Sequence, residues 1–433
     1  MIPYERERSL DDADRIIRDC IARRGWTVET EDFGGQLMTV KCSLRDAGGE
    51  LISRGFGKGD AATSMAGALH EAVEHYYCKA SRVSTPVEYV AAEHFIDDPR
   101  YAALPFLSAF ADNRGRYLAC RRYRSFFAGR QDIQVPLFLS FPDYPVGAQL
   151  DAQSGRRDDF DCRSVIRYSS NSGTAIGASL EEAALHGIGE IVERDAWSLF
   201  LLAHYLGGPG RYGALIDPAS LPDEVEKVLR LTEHRIGRSV LLIDVTSDLG
   251  YPTFIATVAE RRPDEIVYPH GCGASSYGQY AAMRALTELV QCVDIKQRSD
   301  HLAELDRLAL DMLAAYPRLQ ACAYFEVDRD RLERVDWPHP DRPRLAPNLL
   351  LPEVVADLEA RGIELYYAVN HSEGEDFCVA SCVSFELERF FLATSGILMA
   401  PGRRGREFLS RLSPANASMP VEAGGVGRLS VAG

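Results

Sequence analysis

The chain has 433 residues, of which 46% are hydrophobic and 26% charged, so it is long enough for two subdomains or one large composite domain. A net charge of −15 argues against nucleic acid as the main partner, because phosphate contacts need a basic surface. No apolar stretch approaches the length of a membrane span, and the charged N-terminal residues do not resemble a secretory signal. We therefore expect a cytoplasmic protein without a membrane partner.

Alternating helical and extended segments predict an α+β fold with mixed or antiparallel sheets. The first helix is predicted over residues 11–23, before Gly25, and a strand is predicted over residues 37–44. Three later segments share one plan, in which glycine-rich turns lead into a helix with polar residues opposite an apolar face. The polar residues are Glu71 and Glu74 in the first helix, Glu190, Glu193 and Arg194 in the second, and Arg284, Glu288 and Gln291 in the third.

The second of these helices contains two interior glycines, Gly187 and Gly189. Each glycine in a helix interior costs about 1 kcal/mol relative to alanine. We interpret them as positions at which a ligand or a second helix approaches closely.

Two strands, 240–245 and 253–259, follow a predicted helix over 222–234 and are expected to pair in antiparallel fashion. A proline-rich connection comes next, after which Pro352 is expected to begin a helix and Ile363 to begin a strand.

This pattern divides the chain into three parts of one domain, 1–433. An N-terminal helix and strands occupy 1–55, the core with the three glycine-led helices occupies 56–335, and a C-terminal α/β part occupies 353–433.

Glutamates that converge without a counter-charge would force one another to remain protonated. Mg²⁺ bridging carboxylates to a triphosphate would relieve that repulsion, and an arginine beside them would bind phosphate with its planar fork. The simpler alternative is that each helix presents a solvated face and no site at all. Repetition in three helices makes a composite site a serious alternative to solvated faces.

The familiar nucleotide-binding motifs do not explain this pattern. Lys58 is followed by Gly59 rather than by serine or threonine, and Ile52 stands where a Walker A loop needs glycine. The segment GCGASSYG contains two glycines of a dinucleotide fingerprint, but Gly278 lies two residues beyond the third position.

The three segments resemble the YcaO family. Its members carry a GKG turn before a helix S-A-x-x-E-A-x-E-R, then S-N-G-x-A-x-G before E-x-x-E-R-D-A, then R-A-L-x-E-x-x-Q. The chain has the corresponding sequences GKG with AGALHEAVEH, SNSGTAIG with EIVERDA, and RALTELVQ. The similarity covers about residues 11–298 and, more loosely, the remainder.

The resemblance implies a YcaO-type α+β fold whose converging helices form a composite site for ATP and Mg²⁺. It assigns the metal to Glu71, Glu74, Glu190 and Glu193. Catalysis would rest on Glu190, Glu193 and Arg194. Contacts to the nucleotide would come from Arg6, Lys58, Asn171, Arg194, Arg284, Glu288 and Gln291.

The first helix departs from the family pattern at two positions. Gly67 stands where relatives carry serine, and His75 where they carry arginine. These departures leave open whether the first helix still belongs to the site.

Family members use ATP to activate a backbone amide of a ribosomally synthesised precursor peptide. The resemblance therefore implies an enzyme that forms azolines by cyclodehydration. The alternatives are thioamide or amidine formation with an external nucleophile, and a non-catalytic scaffold that binds nucleotide or peptide. The resemblance further implies a homodimer and a separate partner protein. This partner would be E1-like for azolines or TfuA-like for thioamides.

Overall fold

The computed structural model describes residues 2–82, 85–144, 158–208 and 210–412. Residues 413–433 of the predicted C-terminal part lie outside this described region. The described α-helices are α1 Leu10–Arg23, α2 Ala61–Tyr77, α3 Glu93–Asp97, α4 Leu107–Ala111, α5 Leu137–Ser140, α6 Leu180–Leu201, α7 Asp223–Ile236, α8 Gly278–Gln297, α9 Asp300–Met312, α10 Pro317–Tyr324, α11 Pro347–Ala360 and α12 Arg403–Leu412.

The described strands form three separate sheets. The strands are β1 Thr27–Asp32, β2 Met38–Arg45, β3 Leu51–Gly59, β4 Val87–Ala91, β5 Tyr117–Ser125, β6 Ile133–Pro136, β7 Thr174–Gly177, β8 Ala214–Ile216, β9 Val240–Asp244, β10 Thr253–Val258, β11 His270–Ala274, β12 Glu333–Val335, β13 Tyr366–Ser372 and β14 Cys378–Val383.

The sheets are antiparallel apart from one parallel pair. The first is the meander β1-β2-β3, and the second has the order β11-β10-β9-β8-β12, in which β12 and β8 are parallel. The third has the order β4-β5-β13-β14-β7, with β6 paired to β5. This arrangement confirms the α+β fold class with mixed sheets. Because β13 and β14 lie between β5 and β7, the C-terminal part shares a sheet with earlier strands.

One long helix covers each sheet. Helix α2 packs on β3, α8 packs on β11 and β10, and α6 packs on β14 and β7. The contact faces are apolar, as when Leu69 and Val73 of α2 meet Val40 of β2 in one buried cluster. Burial of these faces is the main favourable term that holds each helix to its sheet. The three helices are thereby directed toward a common centre.

Glycines in the strands allow two of these helices to lie directly on the backbone. A Cβ atom on Gly57 would overlap the carbonyl oxygen of Ser64 in α2, and one on Gly273 would overlap that of Ala281 in α8. The prediction that these glycines form turns is wrong, since both lie inside strands, β3 and β11. Their role is close contact between strand and helix.

We predict that Gly57→Ala destabilises the protein by about 3 kcal/mol or more, because the backbone of α2 cannot move away without leaving its sheet. Gly67→Ala is the matched control, since its Cβ would meet only the Gly57 Cα at an ordinary 3.4 Å. Alanine there should be neutral or stabilising by about 1 kcal/mol. Urea unfolding of both variants measures the difference, and equal stabilities would contradict this account.

Gly187 in α6 has a similar explanation. A Cβ there would overlap the carbonyl oxygen of Gly173, in the turn before β7. The interpretation that it admits a ligand or a second helix is therefore wrong, because a backbone turn occupies the space. Gly189 is less constrained, since its Cβ would lie 3.4 Å from the hydroxyl oxygen of Tyr251.

The predicted antiparallel pair is confirmed by β9 and β10. The helix predicted to begin at Pro352 instead begins at Pro347, with Pro352 in its interior. Pro347 suits the first helical position, where a missing N–H costs nothing, and Ala346 is the residue whose extended conformation and carbonyl acceptor start the helix. The strand predicted to begin at Ile363 begins later, at Tyr366.

In the described part of the chain, no helix has both the length and the apolar character needed to cross a bilayer.

Candidate active site

Helices α2, α6 and α8 converge on one cavity of about 1170 Å³. The structure places every predicted site residue on its wall: Arg6, Lys58, Glu71, Glu74, Asn171, Glu190, Glu193, Arg194, Arg284, Glu288 and Gln291. The three polar faces are therefore parts of one enclosure and are not dispersed over separate solvated surfaces. Despite its departures at Gly67 and His75, α2 forms part of this wall.

Four glutamates make one side of the cavity strongly acidic. Burial raises the pKa of Glu74 well above its ordinary value, and the neighbouring Glu71 and Glu190 raise it further. Burial also raises the pKa values of Glu71 and Glu193. A cation among these carboxylates would stabilise their charged forms.

The donors suit Mg²⁺ held jointly with a phosphate ligand. The described residues contain no group of three or more His, Cys, Asp or Glu side chains arranged to hold a metal ion by themselves. Mg²⁺ in nucleotide sites usually takes one or two carboxylates and fills its remaining positions with phosphate oxygens and water. Carboxylates on two facing helices fit that requirement.

Arg194 lies between two of the glutamates. Its Nη1 is 3.0 Å from an oxygen of Glu193, and its Nη2 is 3.3 Å from an oxygen of Glu190. Glu190 is held from the other side by the Ser172 hydroxyl and the Gly173 N–H, each at 3.3 Å. The guanidinium is thus oriented at the cavity wall before any ligand arrives, which favours phosphate binding.

An ion pair joins the first and third helix units across the cavity. Lys58 at the end of β3 contacts Glu288 of α8. Despite its burial, Glu288 has a pKa lowered to about 2, chiefly by Lys58 and then by Arg194. Glu288 is therefore ionised, and the positive charges of Lys58 and Arg194 stabilise its carboxylate.

Sequence reasoning missed His186 and Glu182, which lie beside the predicted Arg6 and Arg284 on the cavity wall. His186 lies between Arg6 and Arg284, 3.5 Å and 3.4 Å from their guanidinium nitrogens, and Glu182 pairs with Arg6 at 3.0 Å. Burial and both arginines hold the pKa of His186 well below its ordinary value. A neutral imidazole has one acceptor nitrogen and no charge, so it accepts from only one of the two guanidiniums and neutralises neither. No motif identifies His186 or Glu182, because their arginine partners come from distant segments of the chain.

We predict that ATP binds only with Mg²⁺ and that binding releases protons, because burial raises the pKa values of the glutamates and a cation favours their ionised forms. Without ligand, stability should fall as pH rises above the ordinary carboxyl pKa, since the folded protein retains protons that the unfolded chain has lost. Glu74→Gln should reduce both effects.

Calorimetry in two buffers of different ionisation enthalpy measures the proton release, with and without EDTA. Glu226→Gln, on the outer face of α7, is the control. Equal ATP binding in EDTA, or no proton release by the wild-type protein, would contradict this prediction.

Comparison with known proteins identifies the family. The family model described as YcaO cyclodehydratase, ATP- and Mg²⁺-binding, matches residues 56–384. The chain belongs to the YcaO family, which confirms the resemblance and the expected cofactors, ATP and Mg²⁺.

Individual relatives agree with this assignment. An uncharacterized protein in the tfuA 3′ region of Rhizobium leguminosarum bv. trifolii is 40% identical over 129 residues, which is 28% of this chain and 30% of that protein. The chain thus matches less than a third of that relative's length.

Two solved structures share the fold. A heterocyclase in complex with substrate and cofactor is 19% identical, with a TM-score of 0.63 over 88% of this chain and 52% of that chain. YcaO from Methanopyrus kandleri, bound with AMPPCP and Mg²⁺, is also 19% identical, with a TM-score of 0.62 over 92% of this chain and 96% of that chain. At this identity the comparison establishes the fold alone.

Proposed function

We propose that this protein uses Mg²⁺ and ATP to phosphorylate the oxygen of a backbone amide in a ribosomally synthesised precursor peptide. The observation that carries the proposal is one cavity whose wall holds four glutamates together with Arg194, Arg6, His186 and Arg284. Phosphoryl transfer asks a protein mainly for positioning and charge neutralisation. Carboxylates for a cation and guanidiniums for phosphate oxygens, together on the wall of one cavity, meet both needs.

The proposed roles follow the position of each side chain. Glu71, Glu74, Glu190 and Glu193 would hold Mg²⁺, which when bound neutralises charge on the triphosphate. Arg194 would bind the transferring phosphoryl group, with Glu190 and Glu193 orienting its fork. The remaining nucleotide contacts would come from Arg6, Lys58, Asn171, Arg284, Glu288 and Gln291.

Two products are consistent with this activation. A cysteine, serine or threonine side chain of the peptide would give an azoline by cyclodehydration, and sulfide would give a thioamide. The azoline is the first candidate. The thioamide is the second, and it is supported by the rhizobial relative in the tfuA 3′ region. The same relative supports a TfuA-like partner protein for thioamide formation, whereas azoline formation would call for an E1-like partner.

Peptide-dependent phosphate release tests the proposal. The protein is incubated with ATP, Mg²⁺ and a precursor peptide encoded near its gene, with the encoded partner protein, and with or without sulfide. We expect ATP consumption to require the peptide, and mass spectrometry to find either loss of one water without added sulfide or replacement of an oxygen by sulfur with it.

The control is the same peptide with its modifiable residue replaced. ATP and peptide binding without any turnover, under either condition, would overturn the proposal in favour of a scaffold.

A further inference from the structure

The segment that carries Arg6 has an unusual backbone. Glu5, the residue before Arg6, has a φ of 57°, in the left-handed region that residues other than glycine rarely adopt. Among the described residues, Phe325 is the only other non-glycine residue with a positive φ. Such a conformation is unfavourable and persists only where the surrounding structure enforces it. The contacts of Glu5 show what holds this turn in place.

The Glu5 side chain is anchored in the turn between β11 and α8. Its Oε1 accepts hydrogen bonds from the Ser275 hydroxyl at 2.7 Å and from the Ser276 N–H at 3.0 Å. Glu5 is 8% exposed, and Ser275 is fully buried. Hydrogen bonds to a buried carboxylate are strong, so this anchor is firm. None of these three residues lines the cavity, so Glu5 is not placed to touch a ligand there.

The next two residues are fixed to α6 instead. Arg6 Nη1 pairs with one oxygen of Glu182 at 3.0 Å, and the Glu7 N–H donates to the other oxygen at 2.9 Å. The Glu7 carboxylate accepts from the Ser179 hydroxyl at 2.6 Å. Residues 5–7 therefore join the turn before α8 to the first turn of α6, with Arg6 on the cavity wall.

Arg6 needs this support because a second guanidinium lies nearby. Arg6 and Arg284 face the same His186 ring, at 3.5 Å and 3.4 Å. Like charges repel, and the neutral imidazole does not compensate either of them. Without restraint, Arg6 would move away from Arg284. Glu182 holds the guanidinium, and Glu5 holds the backbone next to it.

We propose that Glu5 is a positioning residue, whose anchor in the 275–276 turn places the Arg6 guanidinium where it binds the phosphates of the nucleotide. The inference rests on the proposed function, which assigns Arg6 to the nucleotide. The left-handed turn at Glu5 lets one side chain reach the buried serines while the next enters the cavity.

Calorimetric titration with AMPPCP and Mg²⁺ tests the inference without any peptide or turnover. Glu5→Ala removes the acceptor, and we expect it to weaken AMPPCP binding about tenfold, as Arg6→Gln should. In the Arg6→Gln background, Glu5→Ala should add less than about twofold, because the side chain that Glu5 positions is already gone.

A conservative variant and a matched control accompany this titration. The side-chain carbonyl of Glu5→Gln can accept from the same two donors, so its affinity should lie within about threefold of the wild type. Glu233→Ala is the control, because Glu233 on α7 also accepts a backbone N–H, that of Val240 at 3.0 Å, and does not line the cavity. It should bind AMPPCP like the wild type.

A purely structural role of Glu5 would be independent of Arg6. Equal weakening by Glu5→Ala with and without Arg6 would therefore overturn the inference. Wild-type affinity in Glu5→Ala or in Arg6→Gln would do the same, as would a Glu5→Gln variant that binds as weakly as Glu5→Ala.

If Glu5→Ala does not fold, Ser275→Ala replaces it in the same comparison. This variant removes one of the two donors to Glu5, and we expect about threefold weaker binding that disappears in the Arg6→Gln background. Wild-type affinity in Ser275→Ala, or a loss that persists without Arg6, would then overturn the inference. A protein that shows the expected dependence on Arg6 but releases no phosphate with peptide would contradict the proposed function alone.

Discussion

Arg194→Lys should lower peptide-dependent ATP consumption by roughly 100-fold or more while leaving the fold intact. Lysine keeps the positive charge but has a single nitrogen, whereas the Arg194 guanidinium spans Glu190 and Glu193 with two. The ammonium group could contact one of the two glutamates and would lose the planar fork that matches a phosphoryl group. The loss is therefore expected in turnover far more than in stability.

The matched control is Arg230→Lys, since Arg230 forms an exposed ion pair with Glu226 on α7. It should consume ATP like the wild type. Circular dichroism confirms folding, and calorimetry with ATP shows whether binding or turnover is lost. Near wild-type consumption by Arg194→Lys would show that Arg194 does not contact the transferring phosphate.

Glu71→Gln and Glu190→Gln should each abolish most activity, and the double variant should resemble either single one. Glu71 lies on α2 and Glu190 on α6, yet both carboxylates raise the pKa of Glu74 between them. If they serve one assembly of metal and triphosphate, removing the first ligand already disables it. The expected loss for each single variant is roughly 100-fold.

Additivity decides between one composite site and independent faces. Peptide-dependent phosphate release is measured for the two single variants and the double, with Glu226→Gln on α7 as the control for loss of one exposed carboxylate. Small losses that add would favour independent faces. No effect of Glu71→Gln would show that the departures at Gly67 and His75 have removed the first helix from function.

The apolar faces of α2, α6 and α8 could be predicted from local sequence because they follow the helical period. The same holds for β9 and β10, most of whose buried residues are apolar. The strand glycines were misplaced because close packing of a helix on a strand and a tight turn both require glycine. Close packing is distinguished from a turn only by the tertiary contacts, of Gly57 with Ser64 and of Gly273 with Ala281.

The sequence by itself determined which acidic and basic side chains lie opposite the apolar face of each helix. Its three motifs also identified the family. Tertiary structure alone decided that these faces meet in one cavity, since the helices belong to three different sheets. It alone placed His186 between Arg6 and Arg284. The physical reason is that helical period records what one segment buries, whereas charge compensation depends on residues far apart in the chain.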